Sequence, residues 1–161
     1  MQLVIADTGP VNYLILIGHI DPLPRIFQRV ILPAAVKQEL HDIDAPGAVR
    51  AWIGSPPAWL EIVETPAPGP TTLDEGEAAV IALAISLHAD LVLIDERRGV
   101  KVARDQGLRV TGTLGLLEIA AQSGLVDFTE AARRLRLTTF RSPEALLETM
   151  LRKHRRDGGN A

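Results

Sequence analysis

Short apolar runs alternate along this chain with longer stretches whose apolar positions recur at helical spacing. Residues 2–6, QLVIA, read as a buried strand, stopped by Asp7-Thr8-Gly9-Pro10. VNYLILIG (11–18) is then a short apolar helix ended by Gly18, and Asp21-Pro22 opens another helical turn. VIL (30–32) reads as a second strand, with Pro33 at the first position of a helix running to His41. APGAVRAWIG (45–54) reads as a further helix and WLEIV (59–63) as a strand, before the loop TPAPGPTT (65–72). The strongest helical pattern runs from Leu73 to Leu87. It turns at Ala89-Asp90 into LVLI (91–94), an unbroken apolar run of the kind found in strands buried on both faces. A basic helix (97–106) ends at Gly107, and LRV (108–110) is a short strand. Helices are expected at 113–122, 127–136 and 143–154.

Strands alternating with helices predict an α/β domain with a mostly parallel sheet. At 161 residues the chain fits one domain, taken as 1–154, with 155–161 expected to be a disordered tail. In open α/β sheets, ligands collect beyond the carboxyl ends of the strands. Asp7 and Asp95 each follow a predicted strand directly.

Composition narrows the chemistry. Aromatic residues are only 4%, so Leu, Val, Ile and Ala must fill the core. With no cysteine, disulfides, thiolate metal sites and a Cys nucleophile are excluded. The net charge of −3 lacks the overall basic excess of a general nucleic-acid binder. Basic residues nevertheless gather late: Arg97, Arg98, Lys101 and Arg104, then Arg133, Arg134, Arg136 and Arg141, then Arg152, Lys153, Arg155 and Arg156. The N-terminus lacks the basic region and cleavage site of a signal peptide, and no apolar run is long enough for a membrane span. A soluble cytoplasmic protein with no membrane partner is expected.

Four dispersed carboxylates carry the candidate chemistry, each with a structural alternative. Asp7 and Asp95 are either helix N-caps or functional groups at strand mouths. Asp74 and Glu77 have the spacing of a capping box, a role that does not exclude a second one for Glu77. Glu39 sits beside the buried Val36/Leu40 stripe of its helix, where a solvated surface role is the ordinary outcome. Together, four carboxylates suit a hard divalent cation such as Mg²⁺ or Mn²⁺, which prefers oxygen ligands.

The segments VIADTGPVNYLILIGHID (4–21), VILPAAVKQEL (30–40), LDEGEAAVIALA (73–84), LVLIDERRGVKVARDQGLRVTGTLGLL (91–117) and SGLV (123–126), in this order, resemble PIN-domain proteins. The similarity is to the DUF3368 branch, related to the VapC toxin ribonucleases of toxin–antitoxin systems, and it spans residues 3–126. The resemblance implies a three-layer α/β/α fold and an acidic site of Asp7, Glu39, Glu77 and Asp95, serving as catalytic residues and metal ligands. Thr8 would be the hydroxyl residue following the first acid, and Glu96 an extra ligand through water. Position 77 is Glu, where the toxins often carry Asp. Also implied are Mg²⁺ or Mn²⁺ dependence, an RNA substrate, a small antitoxin partner and a homodimer.

Four further features bear on function. Arg97, Lys101 and Arg104 share one helix face, either as a solvated surface or, with Arg98, as contacts to RNA phosphates. Thr111-Gly112-Thr113 could reach a strand-end pocket or simply start a helix. The four histidines form no spaced pair. No G-x-G-x-x-G follows the first strand, so a dinucleotide site is not expected. The leading expectation is a metal-dependent endoribonuclease. The alternatives are a PIN-like module that binds RNA or a protein partner with little turnover, and a phosphotransfer receiver with Asp7 as acceptor.

Overall fold

The computed structural model describes residues 2–65 and 72–159, with side chains through Arg156. Most of the 65–72 loop and the last two residues of the expected tail lie outside the described residues. Five strands form one all-parallel sheet: β1 (Leu3–Ala6), β2 (Arg29–Pro33), β3 (Leu60–Val63), β4 (Leu91–Leu93) and β5 (Val110–Thr111), in the spatial order β3-β2-β1-β4-β5. Each strand is therefore separated from the next by a helical crossover, which parallel pairing requires.

The helices are α1 (Thr8–Leu16), α2 (Leu23–Ile26), α3 (Ala34–Leu40), α4 (Gly47–Gly54), α5 (Glu75–Leu87), α6 (Arg97–Asp105), α7 (Thr113–Gln122), α8 (Phe128–Arg136) and α9 (Glu144–Gly159). The path steps from β1 out to β3, then returns to β4 and β5. Right-handed crossovers in opposite directions put α1–α4 and α5–α6 on opposite faces of the sheet, giving three layers. α5 packs across β2, β1 and β4, while α7 returns to α1, α8 packs on α7, and α9 on α8.

Burial follows this placement. Every residue of β1 and β4 is buried, whereas the edge strands β3 and β5 are mostly half-buried. This explains the unbroken apolar runs of the central strands. The contiguous core contains Ile5, Leu14, Phe27, Ile31, Leu32, Ile81, Leu83 and Leu93, all at most 2% exposed. Aliphatic residues dominate it, as the scarcity of aromatics required.

Element boundaries differ from the sequence reading in instructive places. Pro33 ends β2 and occupies the N-cap of α3 rather than its first helical position, because its N–H-free nitrogen suits either side of that boundary. The last strand comprises Val110–Thr111 rather than 108–110, since its register is set by pairing Val92 with Val110 and Leu93 with Thr111. α9 continues to Gly159, beyond the expected end at 154. Among the described residues no helix is long and apolar enough to cross a membrane.

Candidate functional site

β1 and β4 are neighbours, with Ala6 beside Leu93, so the residues leaving them emerge side by side. The backbone N–H of Asp7 donates to the Leu93 carbonyl at 2.9 Å, extending the ladder to the first residue past the strand. Asp7 and Asp95 therefore stand at the carboxyl edge of the sheet centre. The crevice there, about 400 Å³, is lined by Asp7, Thr8, Glu39, Asp74, Glu77, Asp95 and Glu96, and on its other side by Tyr13, Thr139, Phe140 and Arg141.

Asp7 occupies the N-cap position of α1, but its side chain makes no capping hydrogen bond. It is 6% exposed, and its Oδ1 is buried without a partner. Burial pushes its carboxyl up to about 7. The Thr8 backbone N–H pulls the other way, while the charges of Glu77, Glu39 and Asp74 add to the rise. An unsatisfied carboxylate oxygen in such surroundings is costly unless a proton or a cation meets it.

Glu39 reaches the crevice from α3. Its Oε2 accepts from the Thr8 hydroxyl at 2.5 Å, which ties α3 to the start of α1. Its other oxygen lies against Gly76 in the first turn of α5, where any β-carbon would collide with it. The surface role that helix position suggested for Glu39 is not the one it has in the fold.

Asp74 caps α5, accepting from the Glu77 N–H at 2.9 Å, which is the capping geometry its spacing predicted. Glu77 is nonetheless only 5% exposed, and its carboxyl lies beside Gly99 on α6. Burial first, then the Asp74 carboxylate, then Glu96, push it up to about 7.

Asp95 does not cap α6; Glu96 holds that position. Both Asp95 oxygens instead serve α7: Oδ1 accepts from the Thr113 N–H at 2.7 Å and Oδ2 from the Thr113 hydroxyl at 2.6 Å. Burial raises the Asp95 pKa, and these two donors partly offset the rise. The close approach requires Gly112, where a side chain would overlap Oδ1. Thr113, fully buried, thus serves the pocket rather than capping its own helix.

The fold brings Asp7, Glu39, Glu77, Asp95, Thr8 and Glu96 to one crevice. It does not bring Arg97, Arg98, Lys101 or Arg104 there: none lines it, Lys101 bonds Asp105 at 2.8 Å, and Arg98 reaches the Thr72 carbonyl at 3.5 Å. Sequence reasoning missed Asp74 as a lining group, although its capping spacing already tied it to Glu77. It also missed Tyr13 and residues 139–141, for which no local signal existed.

Among the described residues no three acidic side chains stand close enough to share an ion in this arrangement. The donor set still fits a hard divalent cation. All its donors are oxygens, one of them is buried and orphaned, and the Asp7 and Glu77 carboxyls are both pushed up to about 7, chiefly by burial. Asp7, Glu39, Glu77 and Asp95 are the lining residues that would hold such an ion.

No curated protein matches the chain. The sequence model of the family DUF3368, described as a PIN domain, matches residues 3–156, and so continues through α8 and into α9, past the segments that carried the resemblance. PIN domains are generally nucleases. With a five-stranded parallel sheet of the expected kind and a match over nearly its whole length, the chain belongs to the DUF3368 family of PIN domains.

Proposed function

We propose that this protein is a metal-dependent endoribonuclease that hydrolyses RNA phosphodiesters, acting as the toxin of a toxin–antitoxin pair. The observation that carries this reading is the meeting of Asp7, Glu39, Glu77 and Asp95, from four separate segments, in one crevice at the carboxyl edge of the central strands. In this reading the four carboxylates hold Mg²⁺ or Mn²⁺. The ion, when bound, supplies an activated water and stabilisation of the leaving oxygen.

The chain's own residues do the rest. The Thr8 hydroxyl fixes Glu39, and Thr113 fixes Asp95, so two carboxylates are oriented before substrate arrives. Asp7 Oδ1, buried and without a hydrogen-bond partner, is an acceptor in place for a cation or a proton. Glu96, exposed at the rim, can orient a water. A homodimer and a small antitoxin partner belong to the same reading.

The test is cleavage of RNA by purified protein in Mn²⁺ beside an Asp7→Asn variant and a chelated control. Cleavage by the wild type alone, abolished by EDTA, is expected. Equal cleavage by wild type and variant would overturn the proposal. RNA binding that survives chelation, with no cleavage and no stabilisation by millimolar Mn²⁺, would instead favour a binding module.

A further inference from the structure

The crevice has one wall that the carboxylates do not explain. The connection between α8 and α9 crosses its mouth and places Thr139, Phe140 and Arg141 in its lining. This connection is pinned to α1. The Tyr13 hydroxyl and Thr139 Oγ1 lie 3.0 Å apart, and the Tyr13 and Phe140 rings meet edge-on with centroids 5.1 Å apart. On the far side, Arg136 bridges to Glu148 at 3.2 Å and Glu144 at 3.5 Å, tying α8 to α9. Arg141 is thus held at the rim by its neighbours.

Its charge stands out. Among the described residues lining the crevice it is the one basic side chain, facing six carboxylates. Yet none of the ion pairs among the described residues includes it, whereas Arg133, Arg134 and Arg136 all have carboxylate partners on α8 or α9. A crevice of carboxylates repels a polyanion even when a divalent ion offsets part of the charge. A guanidinium at the mouth, not consumed by a carboxylate, offers two parallel donors to the non-bridging oxygens of a phosphodiester.

We propose that Arg141 binds a backbone phosphate of the nucleic-acid strand and so positions the strand across the carboxylate crevice, with Tyr13, Thr139 and Phe140 fixing the connection that carries it. This rests on the nuclease reading and names the residue that anchors its substrate. It is a contact separate from the α6 basic face, none of whose arginines or lysine lines the crevice.

The experiment compares wild type, Arg141→Ala, Arg141→Lys and Arg133→Ala on a fluorescent single-stranded oligoribonucleotide in Mn²⁺, at several salt concentrations. Arg133→Ala makes the same charge change on α8, outside the crevice. For Arg141→Ala we expect KM to rise about 5- to 20-fold with kcat changed less than about threefold, and the salt dependence of binding to flatten by about 0.7 in the log–log slope, one phosphate contact on a single strand. Arg141→Lys should recover part of the loss, and Arg133→Ala should match wild type. Equal KM for Arg141→Ala and Arg133→Ala overturns the proposal, as does faster cleavage by Arg141→Ala, which would make Arg141 an inhibitory plug. If the wild type cleaves nothing, the ribonuclease reading fails. Anisotropy of the intact oligonucleotide in Mn²⁺ then decides Arg141: weaker binding by Arg141→Ala alone supports the contact, and equal binding overturns it.

Discussion

Replacing Asp7 by Asn should abolish function and stabilise the metal-free protein. The carboxyl is raised from 3.8 to about 7, chiefly by burial. The folded state therefore holds a proton that the unfolded chain releases more readily. At about 1.4 kcal/mol per tenfold change in proton affinity, ionising Asp7 in the fold costs roughly 4 kcal/mol. The sign follows from a folded pKa above the unfolded one. The favourable contribution of the neutral carboxyl is full below 3.8 and is lost as pH rises through about 7. Asn keeps the shape and removes the charge, but its amide must find partners where Oδ1 has none. A net gain of roughly 2–4 kcal/mol at pH 8 remains, or about 5–12 °C in Tm for a chain of this size. Thermal melts in EDTA at pH 5.5 and pH 8 read this directly. The variant should melt well above wild type at pH 8, with the gap narrowing at pH 5.5. Millimolar Mn²⁺ should raise the wild-type Tm and leave the variant's nearly unchanged. A variant no more stable than wild type at pH 8 in EDTA, or a gap independent of pH, would refute the reasoning.

Other substitutions probe the same frame. Thr113→Val removes the hydroxyl that donates to Asp95 Oδ2. It should cost about 1–2 kcal/mol in chemical denaturation and lower kcat by about tenfold or more, because a buried hydrogen bond to a charged group is lost. Gly76→Ala places a β-carbon against Glu39 and should displace that carboxylate. The expected result is weaker Mn²⁺ binding by calorimetry with a loss of stability under about 2 kcal/mol. His88 ends α5 in the left-handed region at φ 52°. His88→Gly should stabilise the fold by about 0.5–1 kcal/mol in urea melts without affecting the crevice.

The strands and most helices were legible because burial on both sheet faces leaves unbroken apolar runs. LVIA and LVL could hardly be anything else between turn signals. Asp7 and Asp95 were legible for a related reason, since a carboxylate just past such a strand must emerge at the sheet's carboxyl edge. Glu39 was legible only through resemblance: its contact with Thr8 joins residues 31 apart, and nothing in its helix pattern announces it. The Thr113 clamp on Asp95 was half visible as a strand-end Thr-Gly-Thr, but its role depends on Gly112 admitting an oxygen where a side chain would stand. Arg141 was visible only as one of many late basic residues. Its place follows from the Tyr13–Thr139 contact, between residues 126 apart, and no local pattern encodes that closure.

The strand order has a consequence for a chain made from its N-terminus. When β1, β2 and β3 have emerged they can pair as they do in the finished sheet, and Asp7 and Glu39 are already present. β1 is then an edge strand, wholly apolar, with its free ladder groups exposed until residues 91–93 arrive. Such an edge invites pairing with other chains. A chain that stops before residue 91 thus keeps that edge uncovered and lacks Asp95 and its Thr113 clamp. A translation stop in the first half therefore releases a chain with an exposed apolar edge and an incomplete crevice, a target for chaperones and proteases.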